Sequence, residues 1–299
     1  MDKGQQSEQR PERPWLKAAA PASEPPPPVS ARWLLSALAV VLAMAAALGY
    51  IALGTLFYLG QWQLVLHPSR TIAALPGVPF TEIHFDYTDT GAARLDGWWI
   101  PAAPASRWSG DTILYLHDQA GSLSNAVADL DVLHAVGVNV FAVDYRGYGK
   151  SAGPHPTEAR MNADAGAAWD YLTATRHLNP ETIVVYGKGF GASLAAVLAV
   201  RHAPAGVVLE APNEPAWKAI EADGRSKILP MWLLLHERFD PAEALKSLSA
   251  PKLFLDRDGA KPRTEQLYRL AASPKDYFEL RDNGGYEAAM ERFLDGVLR

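Results

Sequence analysis

Between Thr182 and Ser193 an apolar, largely β-branched run, Thr182-Ile183-Val184-Val185-Tyr186, breaks at Gly187, Gly189 and Gly191 and restarts as an alanine-rich stretch. Branched residues suit a pleated, buried strand, glycines permit a tight corner, and alanine favours a helix. The segment therefore predicts strand, turn and helix, and the rest of the chain repeats that rhythm. An opening hairpin is expected from Phe80 to Thr88 and Leu95 to Pro101, turning at Asp89-Thr90-Gly91. Strands are then expected at Thr112 to His117, Asn139 to Tyr145, Thr182 to Tyr186, Val207 to Glu210, Lys252 to Asp256 and Tyr277 to Leu280. Helices are expected at Asn125 to Ala135, Thr157 to Leu178, Phe190 to His202, Arg263 to Ala272 and Glu287 to Leu298. Such alternation implies a mostly parallel central sheet with helices on both faces. The rhythm pauses over 212–250, a lid-like excursion that includes Ile228-Leu229-Pro230-Met231-Trp232-Leu233-Leu234-Leu235.

The 299 residues suffice for one α/β domain with length to spare. A net charge of -5 gives no basic footprint for nucleic acid. With no cysteine, thiol catalysis, disulfides and thiolate metal sites are excluded.

Ahead of the domain, 1–31 is a polar, proline-rich tail read as disordered, and 32–60 is read as a membrane anchor. No residue from Trp33 to Gly60 is charged, and that run exceeds the roughly 20 residues a bilayer core requires. A cleaved signal peptide would carry a shorter apolar region behind a shorter leader. Lys3, Arg10, Arg13, Lys17 and Arg32 precede the run and only Arg70 follows closely. The positive-inside rule then keeps the N-terminus cytoplasmic and places residues 61–299 on the periplasmic or extracytoplasmic side. The bilayer, met through 33–60, is the partner this segment implies.

Five strings occur in order: Gln63-Leu64-Val65-Leu66-His67-Pro68, Leu95-Asp96-Gly97-Trp98-Trp99-Ile100-Pro101, Leu116-His117-Asp118-Gln119-Ala120-Gly121, Asp144-Tyr145-Arg146-Gly147-Tyr148-Gly149-Lys150-Ser151, and the glycine corner. Together they resemble the BEM46-like membrane-anchored α/β-hydrolases. The resemblance implies an α/β-hydrolase fold and a serine hydrolase of esters, thioesters or amides, with Ser, Asp and His in that chain order and the serine at the centre of G-x-S-x-G.

Several of the positions that this chemistry requires are altered. Gly189 stands where the resemblance places the serine, and glycine has no side chain with which to attack. Ser193, one helical turn further on, is poorly placed to substitute. Tyr286 stands at the histidine position, and no histidine follows His236. A tyrosine of ordinary pKa is a poor base at neutral pH. The acid position falls on Asp258, with Asp256 the alternative. In the oxyanion loop Asp118 replaces a glycine, where a carboxylate would oppose a forming oxyanion, while the amide of Phe190 still points at the site. No intact catalytic set is left, and the expectation is a degenerate hydrolase that binds a small-molecule or protein partner at the membrane surface. An active enzyme with rearranged groups is the alternative.

A dinucleotide reading of Gly187-x-Gly189-x-x-Ala192, with Glu210 ending the next strand, fits the spacing but not the position late in the domain. Gly149-Lys150-Ser151 fails as a phosphate loop, since Asp144 occupies the first glycine position. Arg146 is read as bracing neighbouring loops and His117 as fixing its own. The eight histidines show no metal-ligand spacing, so neither metal nor cofactor is expected.

Overall fold

A computed structural model describes residues 28–87, 91, 93–256, 261–280 and 283–298. The expected disordered tail and the Asp258 position lie outside the described residues. Helix α1, Ala31–Gly60, carries no charge after Arg32 and is long and apolar enough to cross a membrane, with most side chains exposed. Two compact units divide the chain between Ala52 and Leu53, inside α1.

Within the second unit the strands are β1 (His67–Pro68), β2 (Thr81–Tyr87), β3 (Ala93–Ile100), β4 (Trp108–Leu116), β5 (Ala120–Gly121), β6 (Val138–Asp144), β7 (Ile183–Lys188), β8 (Gly206–Glu210), β9 (Lys252–Asp256) and β10 (Lys275–Glu279). The helices are α2 (Val127–Val136), α3 (Glu158–Asp170), α4 (Gly191–His202), α5 (Ala216–Ala222), α6 (Met231–Leu234), α7 (Ala242–Ser247), α8 (Lys261–Leu270) and α9 (Asn283–Val297). Among the described residues one eight-stranded sheet runs β10-β9-β8-β7-β4-β6-β3-β2, antiparallel only where β3 meets β2 and β6. This is the α/β-hydrolase architecture, a mostly parallel sheet with helices on both faces.

Because side chains alternate along a strand, each central strand feeds two cores. Leu114, Val185, Leu209 and Phe254 join Met161 and Trp169 of α3, Leu194 and Leu198 of α4, and Leu267 of α8. On the other face Ile113, Val184, Val208 and Leu255 meet Leu130 and Leu133 of α2 and Met290 and Phe293 of α9.

Two elements differ from the sequence expectation. The helix anticipated from Thr157 to Leu178 stops regular winding at Asp170, and a wider turn over Tyr171–Thr175 brings Arg176 N to Tyr171 O at 2.9 Å. His177 follows in a left-handed conformation, φ 57°, which ends the helix. The short parallel pair β1–β5 was not foreseen, since two residues carry no periodicity. It ties the segment after α1 to the loop following β4.

The glycines flanking the corner set how closely α4 packs on β4 and β7. A Cβ on Gly191 would overlap Leu116 O and lie 2.8 Å from His117 O, both rigid backbone, whereas one on Gly166 in α3 meets nothing within 4 Å. Gly191→Ala should therefore lower unfolding free energy by about 3 kcal/mol. Gly166→Ala should raise it by about 0.5–1 kcal/mol through helix propensity. Urea denaturation of the two variants checks the pair.

Candidate active site

Strand β7 ends at Lys188, and Gly189 makes the corner in a left-handed conformation, φ 58°, with its N–H on Glu210 O at 3.0 Å. Glycine adopts this geometry without penalty. It also leaves room for Asp118, because a Cβ at position 189 would overlap the Asp118 carboxyl group where it stands. The carboxylate thus stands directly over the apex of the turn.

Three donors hold it there. Asp118 Oδ1 accepts from Phe190 N at 2.8 Å, Gln119 N at 2.7 Å and Asn213 Nδ2 at 2.9 Å. The first two are the amide after the apex and an amide of the loop after β4, the pair that stabilises the oxyanion in a hydrolase of this fold. A side-chain oxygen of the chain itself occupies that position. Burial raises the Asp118 pKa, and the Phe190 and Gln119 amides draw it part of the way back.

The loop carrying Asp118 is braced from below. His117 is buried, with Nδ1 2.7 Å from Asp118 O and Nε2 3.4 Å from Asp144 Oδ1. Tyr145 donates to His117 O at 3.0 Å and Tyr148 to Gln119 O at 2.7 Å. Arg146 spans from the end of β6 to α3, donating through Nε to Asp164 Oδ1 at 2.6 Å and through its backbone N–H to Oδ2 at 2.8 Å. Both His117 and Arg146 therefore do structural work, as their loops suggested. Burial outweighs Arg146 at Asp164 and pushes its pKa up to about 6.

Asp256, the alternative acid position, and Tyr286, at the expected base position, face other partners. Asp256, buried at the end of β9, accepts from Tyr277 OH at 2.6 Å. Tyr286, in the first turn of α9, donates to Tyr186 OH at 3.3 Å, and Tyr186 OH donates in turn to Glu210 Oε2. Lys188 Nζ lies 2.6 Å from Asp129 Oδ2 and 3.7 Å from Glu210 Oε1, and Tyr115 donates to Asp129 at 3.0 Å. Burial drives the Tyr115 and Tyr186 hydroxyls well above their ordinary pKa, so neither is a base near neutrality. This polar cluster beneath the corner escaped sequence reading. Its one available signal was the pairing of Tyr115 with Tyr186 on adjacent strands.

Ser193 is buried in the first turn of α4, its N–H on Phe190 O at 3.0 Å. Among the described residues no serine hydroxyl is hydrogen-bonded to a histidine, and no three His, Asp or Glu side chains converge as a metal set. The excursion closes over the corner. Phe239 stacks on Phe190 with centroids 4.7 Å apart and planes 9° apart, both rings buried. Glu237 accepts from Glu158 N, and Glu158 from Arg238 N, each at 2.7 Å, which clamps the excursion to the start of α3.

Residues 112–262 match the family described as serine aminopeptidase, S33 (Hydrolase_4). An uncharacterized protein of Mycobacterium tuberculosis is 34% identical over 217 residues, covering 67% of this chain and 75% of its own. The mouse alpha/beta hydrolase domain-containing protein 17C is 35% identical over 120 residues, 40% of this chain and 36% of its own. The fold is similar to that of the Pyrococcus furiosus esterase Pf2001, with a TM-score of 0.58 and 18% identity over 78% of this chain and 99% of that one.

Asp118 and Gly189 should be energetically coupled. Gly189→Ala alone meets both the carboxyl group and the left-handed backbone, so it should cost more than the same change made in an Asp118→Gly background, by about 1–2 kcal/mol. Asp118→Ala strands three donors and should cost about 1–3 kcal/mol, with Asp118→Asn costing less because an acceptor oxygen remains. A double-mutant cycle by chemical denaturation measures both.

Proposed function

The chain belongs to the α/β-hydrolase superfamily, and from that premise we propose that it is a catalytically degenerate, membrane-anchored member of the BEM46-like kind that binds a partner at the membrane surface. The observation that carries the reading is Asp118. Its carboxylate takes both oxyanion amides and the space above Gly189, so a substrate carbonyl finds neither a nucleophile at the apex nor N–H groups to polarise it. Tyr286, at the histidine position, is committed to Tyr186 instead. With these amides spoken for, binding falls to the surfaces around the corner. The same occupancy weighs against a nucleotide at Gly187, Gly189 and Ala192, since Phe190 N is engaged and Glu210 is buried against Tyr186.

Purified chain should neither react with a fluorophosphonate probe nor turn over p-nitrophenyl esters above a heat-denatured control. Labelling that disappears on Ser193→Ala would instead establish an active hydrolase with rearranged groups.

The anchor is supported by the length and composition of α1, and the orientation by the basic residues ahead of it. Because the native chain has no cysteine, Val200→Cys offers one defined label site on α4. In intact bacterial cells expressing this variant, a membrane-impermeant maleimide should label it without lysis. Labelling only after lysis reverses the topology.

A further inference from the structure

Around the end of α1, within the second unit, the excursion presents apolar side chains to the outside. Trp232 is 85% exposed, Leu233 62% and Ile228 60%. Their inward neighbours are apolar too: Leu229 is buried, and Leu234 and Leu235 pack against the core. A surface segment of a soluble domain keeps a polar face outward, and one that is hydrophobic all round needs a second apolar environment. The bilayer reached by α1 supplies one.

The position of the segment identifies that environment. The Cβ direction of Gly54 in α1 points at Leu229 and Leu234, 3.9 Å from each. The Tyr58 ring lies 4.3 Å from that of His236, and the Arg225 guanidinium sits over the Phe57 ring at 5.2 Å. Buried Gln61 closes the junction, donating through Nε2 to Leu234 O at 2.7 Å and accepting from His236 N at 3.3 Å. The excursion is therefore fixed beside the last two turns of α1, where Leu56 and Leu59 also face outward, 69% and 60% exposed. Trp232 and Tyr58 are the residue types that settle at the level of lipid headgroups, and while Arg225 is paired with Asp223, the exposed Lys227 and Arg238 carry charge that anionic headgroups attract.

We infer that residues 228–233 form a second membrane contact, with Ile228, Trp232 and Leu233 immersed in the same bilayer leaflet from which α1 emerges. The inference rests on the reading of α1 as a span. Its consequence is orientation. Phe239 and Asn213 of the excursion cover the Gly189 corner, so immersion holds that corner at a fixed height and tilt above the lipid.

The absence of native cysteine makes the test direct. Full-length Ile228→Cys, Trp232→Cys, Leu233→Cys, Val200→Cys and Ala45→Cys variants are each spin-labelled and reconstituted in vesicles of phosphatidylcholine and phosphatidylglycerol. Collision rates with oxygen and with a water-soluble nickel chelate are then compared. Oxygen should dominate at 228, 232 and 233, as at 45 within α1, while the chelate dominates at 200, a half-exposed residue near the C-terminal end of α4, the opposite end of that helix from the corner. A lipid-like label at 45 with chelate-accessible labels at 228, 232 and 233 overturns the contact and leaves the span intact. Chelate access at 45 as well removes span and contact together. Labels at 228–233 shielded from both reagents mean a protein covers the face, which also overturns the proposal.

Discussion

The corner is held by a single carboxylate. Asp118 Oδ1 collects three N–H donors from three separate segments, the loop after β4, the start of α4 and the start of the excursion. Charge-assisted bonds of this kind are the strong ones, and a buried carboxylate with fewer donors would shift toward neutrality or leave the site. The group that fills the space above Gly189 is also the group that ties the ends of the central strands β4 and β7 to what covers them. A side chain at position 189 overlaps the Asp118 carboxylate where it now stands, so accepting one means turning that carboxylate away from its three donors, and positions 118 and 189 are coupled.

That constraint propagates outward through packing. Phe190, placed by the turn, offers its ring to Phe239, and the bonds from Glu158 N to Glu237 and from Arg238 N to Glu158 fix the excursion to the start of α3. Burial raises the pKa of both glutamates, with amide donors opposing the rise, so each carboxylate depends on the backbone N–H it receives. From there the excursion meets the end of α1 through Gln61 and His236. Corner, excursion and helix end form a continuous chain of contacts, and the proposed binding at the membrane surface draws on all three.

The succession of strands along the chain and the corner were legible because they rest on local signals. Val184 and Val185 read as a buried strand, the Gly187–Gly191 spacing as a turn, and the alanines of α4 as a helix. Asp118 was legible only as a mismatch. Weighed as a charge next to an oxyanion it predicts repulsion, but its side chain is long enough to reach the amides and take the oxyanion's place, a matter of distance that sequence spacing does not encode. Tyr286 shows the same limit. Its alignment with a histidine says nothing of Tyr186, a hundred residues away. The outward faces of Ile228 and Trp232 were hidden for another reason, since an apolar run reads as core unless its environment is known.

The cluster below the corner explains why tyrosine suits position 286. Glu210 is fully buried at the end of β8, and its carboxylate must be met by donors or pay the desolvation penalty. Tyr186 supplies one, Lys188 lies close by, and Tyr286 extends the hydroxyl chain from α9. A histidine at 286 would give up that hydroxyl link to Tyr186. Introducing any one group of the hydrolase pattern at these positions therefore disrupts packing or hydrogen bonds that the present set satisfies. A serine at 189 collides with Asp118, removal of Asp118 strands three donors, and a base at 286 unlinks Tyr186. Each single change gives up contacts that the present set satisfies, which makes the filled corner a self-consistent packing arrangement in its own right.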